Sequence, residues 1–138
     1  MLSLGYALLC RDAVSACAQV GLDPMLGFLH TMIAGRPALA IDLMEPFRAA
    51  WVDTAVLRLL ATHGIDRTDF HVSSLGVTLT DAGRRAFIDA YERRADELTT
   101  HPRFGYRMSY RRLLELEARV LAKWLLGEIE DYTPLRTR

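Results

Sequence analysis

An excess of charge of either sign is the first thing this sequence lacks. Over 138 residues, 17 basic side chains balance 17 acidic ones for a formal net charge of zero. That balance excludes a uniformly basic nucleic-acid coat but leaves room for a local basic patch. Lysine is nearly missing: Lys123 is the single lysine among basic residues that are otherwise arginine. Cysteine is scarce as well. Cys10 and Cys17 fall in one predicted helix, where a rise of 1.5 Å per residue sets their Cα atoms about 10 Å apart, beyond the roughly 7 Å reach of a disulfide. They cannot bridge within that helix, and a reduced, cytoplasmic setting fits best. The opening MLSLGYALLC has no basic leader and soon meets Arg11 and Asp12, so it reads neither as a secretory signal nor as a membrane span. Internal repeats, low-complexity tracts and linkers are also missing. What remains is 51% hydrophobic and 25% charged, the composition of one ordinary domain with ample core.

The apolar spacing is predominantly helical. Residues 2–20 read as a first helix ending at Gly21, and Asp23-Pro24 reads as a cap and first-turn proline opening a short helix to about His30. After a turn at Gly35 and Pro37, Leu39, Leu43, Phe47, Val52, Val56, Leu59 and Leu60 keep helical spacing as far as His63. Pro46 interrupts this run, and a kink or break is expected at Glu45. The alternation in DFHVSSLGVTL suggests a small hairpin over 69–79. Thr80 caps a further helix with the stripe Ala86, Phe87, Ala90, Tyr91 and Leu98, and 108–126 form a last long helix before a polar tail. The expectation is an all-α domain over residues 1–138 with at most one small β-hairpin.

Three side chains stand out chemically. Asp42 and Glu45 share a helix face three residues apart, and His30 ends the preceding element, where a short turn can bring it back over that face. One imidazole with one or two carboxylates can hold a divalent cation. The oxygen-rich set favours Mg²⁺ or Mn²⁺ and leaves Zn²⁺ open. Such a cation would polarise a phosphodiester and activate a hydroxyl nucleophile. The competing reading is a core histidine and two solvent-facing helix acids.

Residues 84–112 concentrate arginine: Arg84, Arg85, Arg93, Arg94, Arg103, Arg107, Arg111 and Arg112 against Asp89, Glu92, Asp96 and Glu97. Interleaved with Phe104, Tyr106 and Tyr110, they suit phosphate contact and stacking. The alternative is a solvated face with pairs such as Arg93–Glu97. Arg36, Arg84, Arg85, Arg107, Arg111 and Arg112 are the candidate DNA contacts. The final helix, RRLLELEARVLAKWLLGEI, has an apolar surface wide enough for core or for a subunit interface. His63, His71 and His101 have no visible partners.

The ordered segments LSLGYALL, GLDPMLGFLH, GRPALAIDLMEPFR, LTDAGRRAFIDAYERR and YRRLLELEARVLAKWLLGEI together resemble the C-terminal helical domain of the CRISPR-associated spacer integrase, the DNA nuclease and integrase of the adaptation module. The resemblance runs along essentially the whole chain. It implies that His30 and Glu45 are ligands of Mn²⁺ or Mg²⁺ and that Asp42 is a second acid lining the same site. It also implies an upstream glutamate ligand, on a helix before the LSLGYALL segment, that matches no residue here. The site is then short of one carboxylate, and an N-terminal β-domain is absent. Such proteins are homodimers that flank a small ferredoxin-like companion nuclease and hold a short duplex, the prespacer. They join its 3′-hydroxyl to a repeat-end phosphodiester of the CRISPR array. Against this stands a non-catalytic helical module for DNA binding or assembly.

Overall fold

The computed structural model describes residues 1–74 and 76–135. Helix α1, Leu2–Gln19, buries Gly5, Leu9, Ala13, Ala16 and Cys17 along one stripe. It stops where Gly21 takes φ 79°. The N–H of Leu22 there reaches the Cys17 carbonyl at 3.0 Å and that of Gly21 reaches Ala18 at 3.2 Å. These are the paired bonds of a glycine-terminated helix end, satisfying carbonyls the helix leaves over. Both cysteines are free thiols, and burial raises that of Cys17 to about 11.

The short helix expected from Pro24 to His30 does not form, and residues 22–37 are turns and bends. Four tertiary bonds compete with it. The N–H of Leu39 donates to the Pro24 carbonyl at 2.9 Å, and the N–H groups of Phe28, Leu29 and His30 are all taken by the Asp42 carboxylate. Amides held this way cannot build an i→i−4 ladder.

The long helical run from residue 38 breaks where expected. Helix α2, Ala38–Met44, is followed by a 3₁₀ turn at Glu45–Phe47, a π-helical segment at Arg48–Asp53, and helix α3, Thr54–Ala61. Pro46 has no N–H to continue the α ladder, and the wider turn that follows puts Trp51 and Val52 fully into the core. At the end of α3, the left-handed residue is His63, φ 52°.

Strands β1, Phe70–Ser73, and β2, Gly76–Leu79, form the expected hairpin, paired Phe70 with Leu79 through Ser73 with Gly76. Leu75 lies outside the described residues, as do residues 136–138 of the polar tail. Helix α4, Asp81–Asp96, starts with the Gly83 N–H on Thr80 Oγ at 3.1 Å. A second ribbon follows that the pattern did not suggest: β3, Leu98–Thr100, antiparallel to β4, Arg107–Ser109. Leu98 consequently leaves the apolar stripe of α4 and is exposed. Helix α5, Tyr110–Leu125, is capped by Ser109.

The fold is all-α with two two-stranded ribbons. Trp51 stacks on Tyr91 at 5.1 Å between ring centroids, and its Nε1 donates to the Tyr91 carbonyl at 3.3 Å. Helices α1, α2 and α5 close around this pair with Leu9, Leu43, Leu113 and Leu114. Among the described residues, no helix is long and apolar enough to cross a membrane.

Candidate nucleic-acid processing site

Asp42 is the centre of the site. Its Oδ2 accepts the N–H of Phe28 at 2.7 Å and of Leu29 at 2.9 Å. Its Oδ1 accepts the N–H of His30 at 3.1 Å and lies 2.5 Å from His30 Nδ1. Two features of the sequence permit this. Gly27 lets the loop lie on α2, because a Cβ there would stand 2.6 Å from Ala38 Cβ and 3.0 Å from Asp42 Oδ2. The loop at Gly35-Arg36-Pro37 then reverses the chain into α2. Burial pushes the Asp42 carboxyl up, but the His30 ring and the three N–H groups outweigh it and hold the carboxyl below its ordinary range. An ionised Asp42 accepts from Nδ1–H of His30, which leaves Nε2 as the donor atom for a ligand.

Glu45 lies one turn further along, yet its carboxylate is held by Arg48 Nη1, at 3.0 Å and 3.2 Å to its two oxygens. Arg48 in turn covers the Tyr6 ring at 4.2 Å, and Tyr6 donates its hydroxyl proton to Asp53 at 2.6 Å. The structure therefore joins His30 to Asp42 and ties Glu45 to a separate network on α1 and the π segment. Among the described residues, no group of three or more His, Cys, Asp or Glu is placed to hold a metal ion. The donor chemistry nonetheless fits part of a divalent-cation site. A histidine fixed through Nδ1 by a carboxylate is the usual arrangement behind a metal-bound imidazole, and Glu45 can supply oxygen once Arg48 releases it.

Beside these residues opens a largely apolar cavity of about 340 Å³, lined by Phe28, Leu29, Asp42, Glu45, Glu117 and Trp124 among others. Glu117 escaped the sequence reading, and with it the partner that His101 lacked there. It is 4% exposed and His101 3%, and His101 Nε2 meets its Oε1 at 3.1 Å. Because His101 Nδ1 accepts from the N–H of Arg103 and Phe104 at 3.0 Å and 3.2 Å, the ring proton lies on Nε2 and points to Glu117. Nothing in the residue spacing announces this pair, since the second ribbon creates it.

The arginine stretch divides in two. Arg111, a candidate DNA contact by sequence, is held by Glu92 at 2.5 Å, with Asp96 at 3.5 Å and Asp12 at 3.9 Å. Its guanidinium is engaged by these carboxylates, with 37% of the side chain exposed. Arg94 is likewise internal, on the Ala50 carbonyl, Glu97 and the Tyr110 hydroxyl, so Glu97 pairs with Arg94 and Arg58 rather than Arg93. Tyr110 is buried, whereas Phe104 and Tyr106 are exposed. Arg36, Arg84, Arg85, Arg107 and Arg112 all face solvent.

The family profile described as CRISPR associated protein Cas1 matches residues 1–93. The chain is 49% identical over its whole length to a CRISPR-associated exonuclease Cas4/endonuclease Cas1 fusion of Geobacter sulfurreducens, covering 25% of that protein. It is 42% identical over its whole length to the CRISPR-associated endonuclease Cas1 3 of Thermus thermophilus, covering 42% of that protein. A solved casposase bound to its integration product superposes over the whole chain and 41% of its own length, with TM-score 0.88 and 30% identity. The helical fold of this chain is thus one that a casposase bound to its integration product shares. The chain belongs to the CRISPR-associated Cas1 family, and it spans less than half the length of these relatives.

Proposed function

We propose that this chain is the catalytic region of a metal-dependent DNA endonuclease and integrase that inserts spacers into CRISPR arrays. The observation that carries it is the His30–Asp42 pair, 2.5 Å apart, in a loop whose three successive N–H groups are fixed by the same carboxylate. His30 Nε2 and the Glu45 carboxylate would hold Mn²⁺ or Mg²⁺ together with the upstream glutamate the resemblance implies. Bound there, the cation would supply Lewis acidity at the phosphodiester and lower the pKa of the attacking 3′-hydroxyl. Asp42 acts through His30. It fixes the tautomer and ring orientation and is saturated by four hydrogen bonds, so it is a positioning residue rather than a direct ligand.

Arg48 holds the Glu45 carboxylate while no ion draws it away. Release of Glu45 to a cation would free a guanidinium, itself stacked on Tyr6, to bind the phosphate being attacked. The prespacer duplex and the repeat are the DNA partners of this reading, with a second copy of the protein and a small ferredoxin-like nuclease as protein partners.

In the full-length protein, His30→Ala should abolish integration into array DNA while the melting temperature stays near the parent's. Undiminished integration would sink the assignment. The Glu45–Arg48 pairing favours a second reading, a non-catalytic DNA-binding or assembly module. It predicts no Mn²⁺-dependent rise in melting temperature even with the upstream segment present, whereas the catalytic reading predicts a rise that Glu45→Gln reduces.

A further inference from the structure

We infer a second DNA contact, a phosphate-binding groove formed by Arg107, Arg112 and Arg119 on the face of α5 turned away from the cavity beside Asp42. The groove, about 610 Å³ and open to solvent, runs between the β3–β4 ribbon and α5 from Arg112 to Arg119. At about 100° per residue, Arg112, Glu115 and Arg119 project from one side of α5. Glu117, Leu121 and Trp124, which line the cavity beside Asp42, project from the other. Arg119 stands four residues after Glu115 on α5, a spacing that suits an intrahelical pair.

Charge is what distinguishes this groove. Arg48, Arg58, Arg94 and Arg111 are all held by carboxylates. Among the described residues, no carboxylate forms an ion pair with Arg107, Arg112 or Arg119. Three exposed guanidinium groups therefore share one groove with a single acid, Glu115. In a chain of zero net charge, such a concentration is selective for a polyanion. Arg112 and Arg119 lie about 10 Å apart along the helix axis, close to three steps of one duplex strand at roughly 3.4 Å per step. The floor is Leu98, Met108 and Leu116. It offers no aromatic face on which an unpaired base could stack, so the occupant is the backbone of duplex DNA. The inference rests on the DNA reading above but not on the metal site.

Fluorescence anisotropy of a labelled 20-base-pair duplex over a NaCl series tests it. The plot of log K against log[NaCl] should lose about 0.9 of its slope for each arginine removed, so that R107A/R112A/R119A flattens it by roughly 2.7. Lysine at the same three positions should retain most of the slope, and Glu115→Gln should tighten binding. If the triple variant does not fold, R119A alone should still flatten the slope by about 0.9. A folded triple variant with the parental slope overturns the inference, as does a parent chain without salt-dependent binding. Loss of binding to single strands but not to duplex also overturns it. His30→Ala, run in parallel, should keep the full slope, so failure of the metal site and failure of the groove give different results.

Discussion

At the residue scale, Asp42 does more than its position in DLMEPFR suggests. Helical spacing places it one turn from Glu45, and that much is legible in the sequence. That it would face back onto residues 28–30 and take four donors is not, because the competing local signal, Asp23-Pro24, argues for a helix there. The tertiary acceptor prevailed, since a partly buried carboxylate offers those N–H groups a stronger, charge-assisted bond than a marginal single turn can. A stability consequence follows from the sign of the Asp42 shift. Its folded pKa is depressed, so its contribution is present above the ordinary carboxylate pKa, about 4, and is lost as pH falls through the depressed value. Asp42→Asn, which cannot accept the same four donors, should lower stability by about 1–3 kcal/mol at neutral pH. In melts from pH 7 to pH 2.5, the gap between variant and parent should close toward the acid end. A gap independent of pH would show that the charge is immaterial.

At the scale of elements, helices α1, α4 and α5 were readable because each has an apolar period and a terminal signal: Gly21 for α1, Thr80 for α4. The interruption at Pro46 was readable from its missing N–H. Its resolution into a 3₁₀ turn and a six-residue π segment was not, since that depends on seating Trp51 against Tyr91 from another helix. The β3–β4 ribbon was missed for a similar reason. Its strands are three residues each, too short for any alternation to register, and they are held by the buried His101–Glu117 bond that ties the connecting loop to α5. Removing the acceptor should expose that dependence. Glu117→Ala leaves the His101 N–H without a partner and should cost about 1.5–3 kcal/mol in urea unfolding, whereas the double variant H101L/E117L should recover much of the loss. A double variant no more stable than the single would show that packing, not the bond, anchors the ribbon.

Taken as a whole molecule, the chain is well filled at its centre and leaves several large apolar side chains exposed. Phe28, Leu29, Met32 and Ile33 are all more than half exposed, and Leu126 is 74% exposed at the end of α5. A surface of this kind is uncommon on a monomer and marks a place where protein associates. Its composition was legible, but its exposure was not, because a helix over 24–30 would have turned part of it inward. The 138-residue chain should therefore self-associate with rising concentration in sedimentation velocity, and Leu29→Ser with Ile33→Ser should shift it toward monomer without changing its far-ultraviolet circular dichroism. Concentration-independent sedimentation of the parent would contradict this.

The carboxylate that fixes His30 also gives the site a built-in reporter. Amides in an open loop normally exchange with solvent deuterium almost at once, yet the amides of Phe28, Leu29 and His30 are tied to a single side chain from another element. Their exchange rates should be slow and matched, because one opening event releases all three. The integrity of the His30–Asp42 loop can thus be followed amide by amide, with no ligand in the tube.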